Sequence, residues 1–322
     1  MTVALTTRQS LHANLSAALD QGDLRSLAGH RPTDRRDALL SLLTIYDLHL
    51  APVDTVHARF QGHPLIAQLK AELEEPWLAE LEQRFAAVPA EADATTVAGA
   101  VEWIRGVAVD DRLPETYHWL ARDATRDELV HFLALEGGPD GGFDDLVALC
   151  QVGLSGSAKL ELGKNYWDEM GNGRPEAVHT TLHHDLVAAL DLPEIPREHQ
   201  PVEALERSAL AGLLATNRWL QPELLGALGL TELQAGPRCR MVLKALDRVG
   251  APEGAYPFYR EHAEVDPVHG KDWVEKAIAP LVAERPEWGP RILKGAVWRT
   301  QVNLAFFAAA QQAVLGQAAS AA

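Results

Sequence analysis

The chain has 322 residues, 47% hydrophobic and 23% charged, enough to bury a full core as one large domain or as one domain with a helical extension. Its 45 acidic residues against 29 Lys and Arg give a formal charge of -16, which repels phosphate backbones and anionic lipid surfaces and argues against nucleic acid and membrane partners. No run of about 18 apolar residues and no basic, apolar start like a signal peptide is present, so a cytoplasmic location is expected. The two cysteines, Cys150 and Cys239, are too few for a disulfide framework and lack zinc-site spacing.

Taken in chain order, the apolar spacing is helical throughout, and no long stretch alternates as a half-buried strand does. The fold class expected is all-α. Ile66, Leu69 and Leu73 step by three and four, and Leu78, Leu81 and Phe85 repeat the pattern, with Pro76 suited to the first turn of a second helix. Residues 1–112 carry few chemically suggestive side chains and are assigned to a helical N-terminal portion, with residues 113–322 as the core that bears the chemistry. Thr125 and Glu128 have the form of a capping box, starting a helix that turns Leu129, Phe132 and Leu133 inward. Glycine and proline clusters interrupt the chain at 137–142, 171–175 and 250–254. Near the C-terminus Trp298, Val302, Ala305 and Phe306 share one helical face, as a closing helix requires.

Against that frame a few polar residues stand on apolar faces. Glu136 follows Leu129 by seven residues and Phe132 by four, which points its carboxylate at the core; that position is costly unless the acid is paired or bound to a metal. In the segment AKLELGKNYWDEM, Glu169 shares a face with Leu162 and Tyr166, whereas Glu161 and Asp168 turn away, so Glu169 is the expected inward acid. Glu176 and His179 are three residues apart and would project two metal-capable groups from one helix face, a weak pattern taken alone.

The strongest pattern is HAEVDPVH. His262, Asp266 and His269 lie at spacings of four and three, and at about 100° per residue they fall within about 60° of one another. A satisfied structural network is the main competitor to a metal at such a triad. His183 and His184 are alternative ligands, and Pro267 inside the motif predicts a kink or restart of the helix. Carboxylates with a few imidazoles and no thiolate suit iron or manganese, and facing bundle helices are the usual way to hold two such ions. Tyr166, Trp167, Tyr256, Phe258 and Tyr259 are candidate pocket walls.

These residues resemble the heme-oxygenase-like diiron oxidases, often called the iron-containing redox enzyme family. The resemblance rests on an acid on the first core helix (Glu136), an E-x6-E-x2-H arrangement (Glu169, Glu176, His179) and an H-x3-D-x2-H motif (His262, Asp266, His269), and it covers roughly residues 115–315. It implies a seven-helix heme-oxygenase-like bundle, frequently a homodimer, that binds two Fe(II) ions and takes O2 as co-substrate. All seven residues would then be metal ligands, and all but Glu176 would also be catalytic. The implied activity is oxidation of a small metabolite in specialised metabolism, an amine or amino-acid-derived substrate, by N-oxygenation or oxidative C–C or C–N cleavage, with an external electron donor where turnover needs one. The alternatives are an oxidative fatty-acid decarboxylase and a metal-free helical enzyme or small-molecule carrier of the same fold.

Overall fold

The structure is a computed structural model that describes residues 10–88, 92–110, 113–137 and 142–321. Among the described residues it is helical with no strand. The N-terminal part comprises α1 (Leu11–Gln21), α2 (Arg35–Leu50), α3 (Pro64–Ala86) and α4 (Val97–Asp110). The shorter α5 (Glu115–Arg122), α6 (Arg126–Glu136), α7 (Phe143–Cys150), α8 (Gly156–Glu169) and α9 (His179–Leu190) follow. After them come α10 (Val202–Thr216), the long α11 (Gln221–Val249), α12 (Pro257–Asp272), α13 (Ala279–Glu284) and the closing α14 (Trp288–Ala321).

Several helix ends obey simple capping chemistry. Ser10 and Asp34 cap α1 and α2 by accepting main-chain N–H bonds, and Gly22 and Gly250 leave α1 and α11 in the left-handed region. At α6 the capping box is present in full: Thr125 accepts from the Glu128 amide while the Glu128 carboxylate accepts from the Thr125 amide.

Helix α3 differs from the sequence expectation, for it runs unbroken through Pro76. One main-chain hydrogen bond is lost there, but Pro76 is exposed while Leu69, Leu73, Trp77 and Leu81 form one buried stripe that spans it. Burying four large side chains stabilises by several kcal/mol, roughly 1.5–3 each, which offsets the proline cost of about 3 kcal/mol. Helix α12 likewise continues through Pro267, whose ring edge lies over Gly236 of α11, where a Cβ would come within 2.9 Å. The irregularity falls instead in a π-helical turn at Trp273–Ile278. In α14, Trp298, Val302 and Phe306 are buried as expected, whereas Ala305 faces outward.

Two apolar clusters organise the interior. One joins the N-terminal helices to α7, α8, α10, α11 and α14, so residues of the N-terminal portion share a core with the rest. The other packs α5, α6, α9, α11, α12 and the end of α14. Helices α11 and α14 cross closely: a Cβ on Gly226 would meet the Ile292 carbonyl at 1.7 Å, and one on Gly295 the Glu223 carbonyl at 1.9 Å. Only glycine allows the two backbones to approach that far.

Candidate metal centre

A cavity of about 110 Å³ lies where α6, α8, α9, α11, α12 and α14 converge. Five carboxylates line it (Glu136, Asp144, Glu169, Glu232 and Asp266), together with His179, His183 and His262.

Chain reversal builds one side of it. Glu169 is the last residue of α8 and His179 the first of α9. Between them stand two 3-10 turns, with Gly171 and Asn172 at positive φ. The helix ends therefore face one another, and Glu169 Oε2 is 2.7 Å from His179 Nδ1, out of line for a hydrogen bond. This turn also carries Glu176 away. It lies exposed on the 3-10 turn Pro175–Ala177, so the expected Glu-x-x-His pair on one helix face does not form and the structure does not bring Glu176 to the cavity. The periodic argument assumed a helix over 176–179, whereas Val178 is extended (φ -61°, ψ 129°) and α9 begins only at His179.

Helix α12 supplies the other side as expected, with His262, Asp266 and His269 on its inner face. His262 Nδ1 donates to the Phe258 carbonyl at 2.7 Å, which fixes the tautomer and leaves Nε2 as a lone-pair donor. Its ring lies 4.5 Å from that of His179. His269 Nε2 donates to Asp168 Oδ2 at 3.0 Å, which turns Nδ1 toward Glu232 Oε2, 3.6 Å away. Asp168, expected to turn away, acts here as the partner that orients His269.

Glu232 on α11 was not anticipated. It is buried, and its Oε1 accepts from Asn165 Nδ2 at 2.8 Å. The step of Leu225, Leu228 and Glu232 by three and four puts the Glu232 carboxylate on the buried side of α11, but the buried Glu223 of the same helix shares that signal. Two sets of potential ligand atoms arise, each within 4.8 Å of one another: Glu169, His179 and His262, and Glu169, Glu232 and His269. Glu169 is common to both.

Asp266 and Glu136 border these sets. Asp266 is 2% exposed with Oδ2 making no hydrogen bond; burial, then Glu232 and Glu169, push its carboxyl well above the usual range. Burial also raises Glu232. Burial opposes the imidazolium of His269, yet Glu232 and Asp168 outweigh it and lift the group to about 9. Glu136 accepts the Tyr117 hydroxyl, and burial, then Glu136 itself, keep that phenol protonated. His183 lines the cavity beside Phe258, whereas His184 is exposed. Of the aromatic candidates Phe258 and Tyr259 line the cavity, and Trp167 is exposed.

Buried carboxylates that repel one another and imidazole nitrogens without hydrogen bonds are costly as they stand, and cations are what would relieve them. Oxygen and nitrogen donors of this kind suit iron. Carboxylates and imidazoles converging from facing helices on one cavity are the arrangement by which helical bundles hold metal ions. The model of the iron-containing redox enzyme family matches residues 130–303, and the chain belongs to that family. Comparison with the curated proteins finds no match. Among the described residues no helix is long and apolar enough to cross a membrane.

Proposed function

We propose that the chain is a non-haem diiron oxygenase or oxidase that uses O2 to oxidise a small metabolite, an amine or amino-acid-derived compound. The observation that carries this reading is the double membership of Glu169, since a carboxylate common to two donor sets is suited to bridging two cations. Glu169, His179 and His262 would hold one ion, and Glu169, Glu232 and His269 the other, with Asp266 and Glu136 as further acids. Ferrous iron, when bound at these positions, would supply the electrons for reducing dioxygen.

The rest of the task belongs to the chain itself. Phe258 and Asp168 orient His262 and His269 through the nitrogen of each ring that faces away. Asn165 holds Glu232 in place, and the Tyr117 hydroxyl donates a hydrogen bond to the Glu136 carboxylate. The aromatic and aliphatic wall of Phe258, Tyr259, Phe307 and Val242 keeps water from the reacting centre.

Rapid mixing of anaerobic, Fe(II)-loaded protein with O2 tests the reading. Rapid iron oxidation, accelerated by an amine or amino acid, is the expected result. Acceleration by fatty acids alone would transfer the reading to oxidative decarboxylation, and iron that oxidises no faster than free Fe(II) would overturn it.

A further inference from the structure

Arginines of α10, α11 and α14 build a part of the cavity wall that differs from the metal side. Arg207, Arg238 and Arg299 all line the cavity and are 3%, 7% and 8% exposed. Burying three guanidiniums in a chain of net charge -16 is expensive, because Arg does not deprotonate to escape the penalty. Arg207 has a structural assignment: its Nη1 donates to the Glu136 carbonyl at 2.8 Å, closing the end of α6, and it sits over the Phe306 ring. Arg238 is held in place by Gln234 Oε1 at 2.9 Å and by the Phe307 ring at 4.8 Å, so its plane is set before any ligand arrives. Arg299 stands one turn from Asn303 on α14. Asn303 lines the same cavity, is 2% exposed, and its amide oxygen makes no hydrogen bond.

We propose that Arg238, Arg299 and Asn303 form the head-group subsite for an α-amino acid, the guanidiniums taking its carboxylate and the Asn303 amide oxygen its ammonium group. This rests on the proposed metal reading for its charge balance. Five carboxylates outnumber three guanidiniums in the lining, but two divalent cations would leave it net positive and ready for an anion. A carboxylate fits the guanidinium fork. Phosphate and simple carboxylates would leave the buried Asn303 oxygen without a donor, whereas an α-amino acid supplies both groups.

The test is calorimetric titration of anaerobic, Fe(II)-loaded protein with each of the twenty common L-amino acids. At least one should bind, and the amine left by removing its carboxylate, or the acid left by removing its amine, should bind at least about tenfold more weakly. Arg299→Gln should weaken binding of that amino acid about 10- to 100-fold, the loss typical of a charge-assisted pair. Arg299→Lys should recover part of it, and Asn303→Leu should cost about tenfold; circular dichroism confirms that each variant is folded. Binding by none of the twenty, equal binding of the decarboxylated amine, or wild-type affinity in both Arg299→Gln and Asn303→Leu overturns the proposal. Iron content separates this failure from that of the metal reading. Full iron loading without amino-acid binding sinks the subsite alone, and a protein that takes up no iron sinks the metal reading and with it the charge balance on which the subsite rests.

Discussion

Asp168 Oδ2 lies 3.0 Å from His269 Nε2, so the last turn of α8 orients a histidine 101 residues further along the chain. An imidazole held on one nitrogen presents the other at a fixed angle, and removing such a partner typically costs about 10- to 100-fold in metal affinity. Asp168→Ala should therefore weaken iron binding by about that factor while leaving the helical circular dichroism unchanged. An unchanged iron affinity in Asp168→Ala would show that His269 needs no such support.

Glu232 and Glu176 provide a paired prediction. Glu232→Ala removes an acid from the set that includes His269 and should lower iron content by about one ion per chain; Glu176→Ala, on an exposed turn, should leave it at the wild-type value. Elemental analysis of the two purified variants decides. Iron lost from Glu176→Ala and kept in Glu232→Ala would reverse the assignment.

The contrast between those two glutamates shows how far the sequence could be read. Helical periodicity over an uninterrupted helix was enough to bring His262, Asp266 and His269 to one face, and to place Glu136 and Glu169 on inward faces. It was not enough where a ligand's position depends on chain reversal, as at Glu176, or on side-chain reach across helices, as between Asp168 and His269. Glu232 was hidden for another reason. A buried glutamate on α11 is not distinctive, since Glu223 on the same helix is also buried and is satisfied by Arg291 and Lys294; only the neighbours brought by the fold tell them apart. The prolines at 76 and 267 misled in the opposite direction, because packing against neighbouring helices outweighed one missing hydrogen bond.

The close crossing at Gly226 and Gly295 joins α11, which carries Glu232 and Arg238, to α14, which carries Arg299 and Asn303, and all four residues line the cavity. Gly226→Ala would gain about 1 kcal/mol of helix propensity, but the new Cβ would lie 1.7 Å from the Ile292 carbonyl, and backbone has little room to yield. We expect a net loss of about 1–3 kcal/mol, the range for overpacking, seen as a lower melting temperature. A melting temperature equal to or above that of the wild type would mean that the helices separate at little cost.

Asp37 ties α2 to the start of α1, accepting from the amides of Leu11, His12 and Thr33 at 2.8 Å each. Burial pushes its carboxyl up, but the amides of His12, Thr33 and Leu11 outweigh burial and hold it below the usual range. Because the folded pKa is depressed, this stabilisation is fully present above the unfolded value of about 3.9 and is lost as pH falls through the folded value. Asp37→Asn should cost about 1–3 kcal/mol at pH 7 and progressively less in acid, measured by urea denaturation at a series of pH values. A pH-independent difference between wild type and variant would remove the electrostatic part of the explanation.

Anaerobic Fe(II) titration of the wild type beside Glu169→Ala and His262→Ala, with iron counted per folded chain, tests the shared carboxylate most directly. Two ions in the wild type, one in His262→Ala and near none in Glu169→Ala is the pattern expected if Glu169 serves both donor sets. One ion in the wild type, or a Glu169→Ala protein that still holds one firmly, would contradict a two-ion centre organised around that residue.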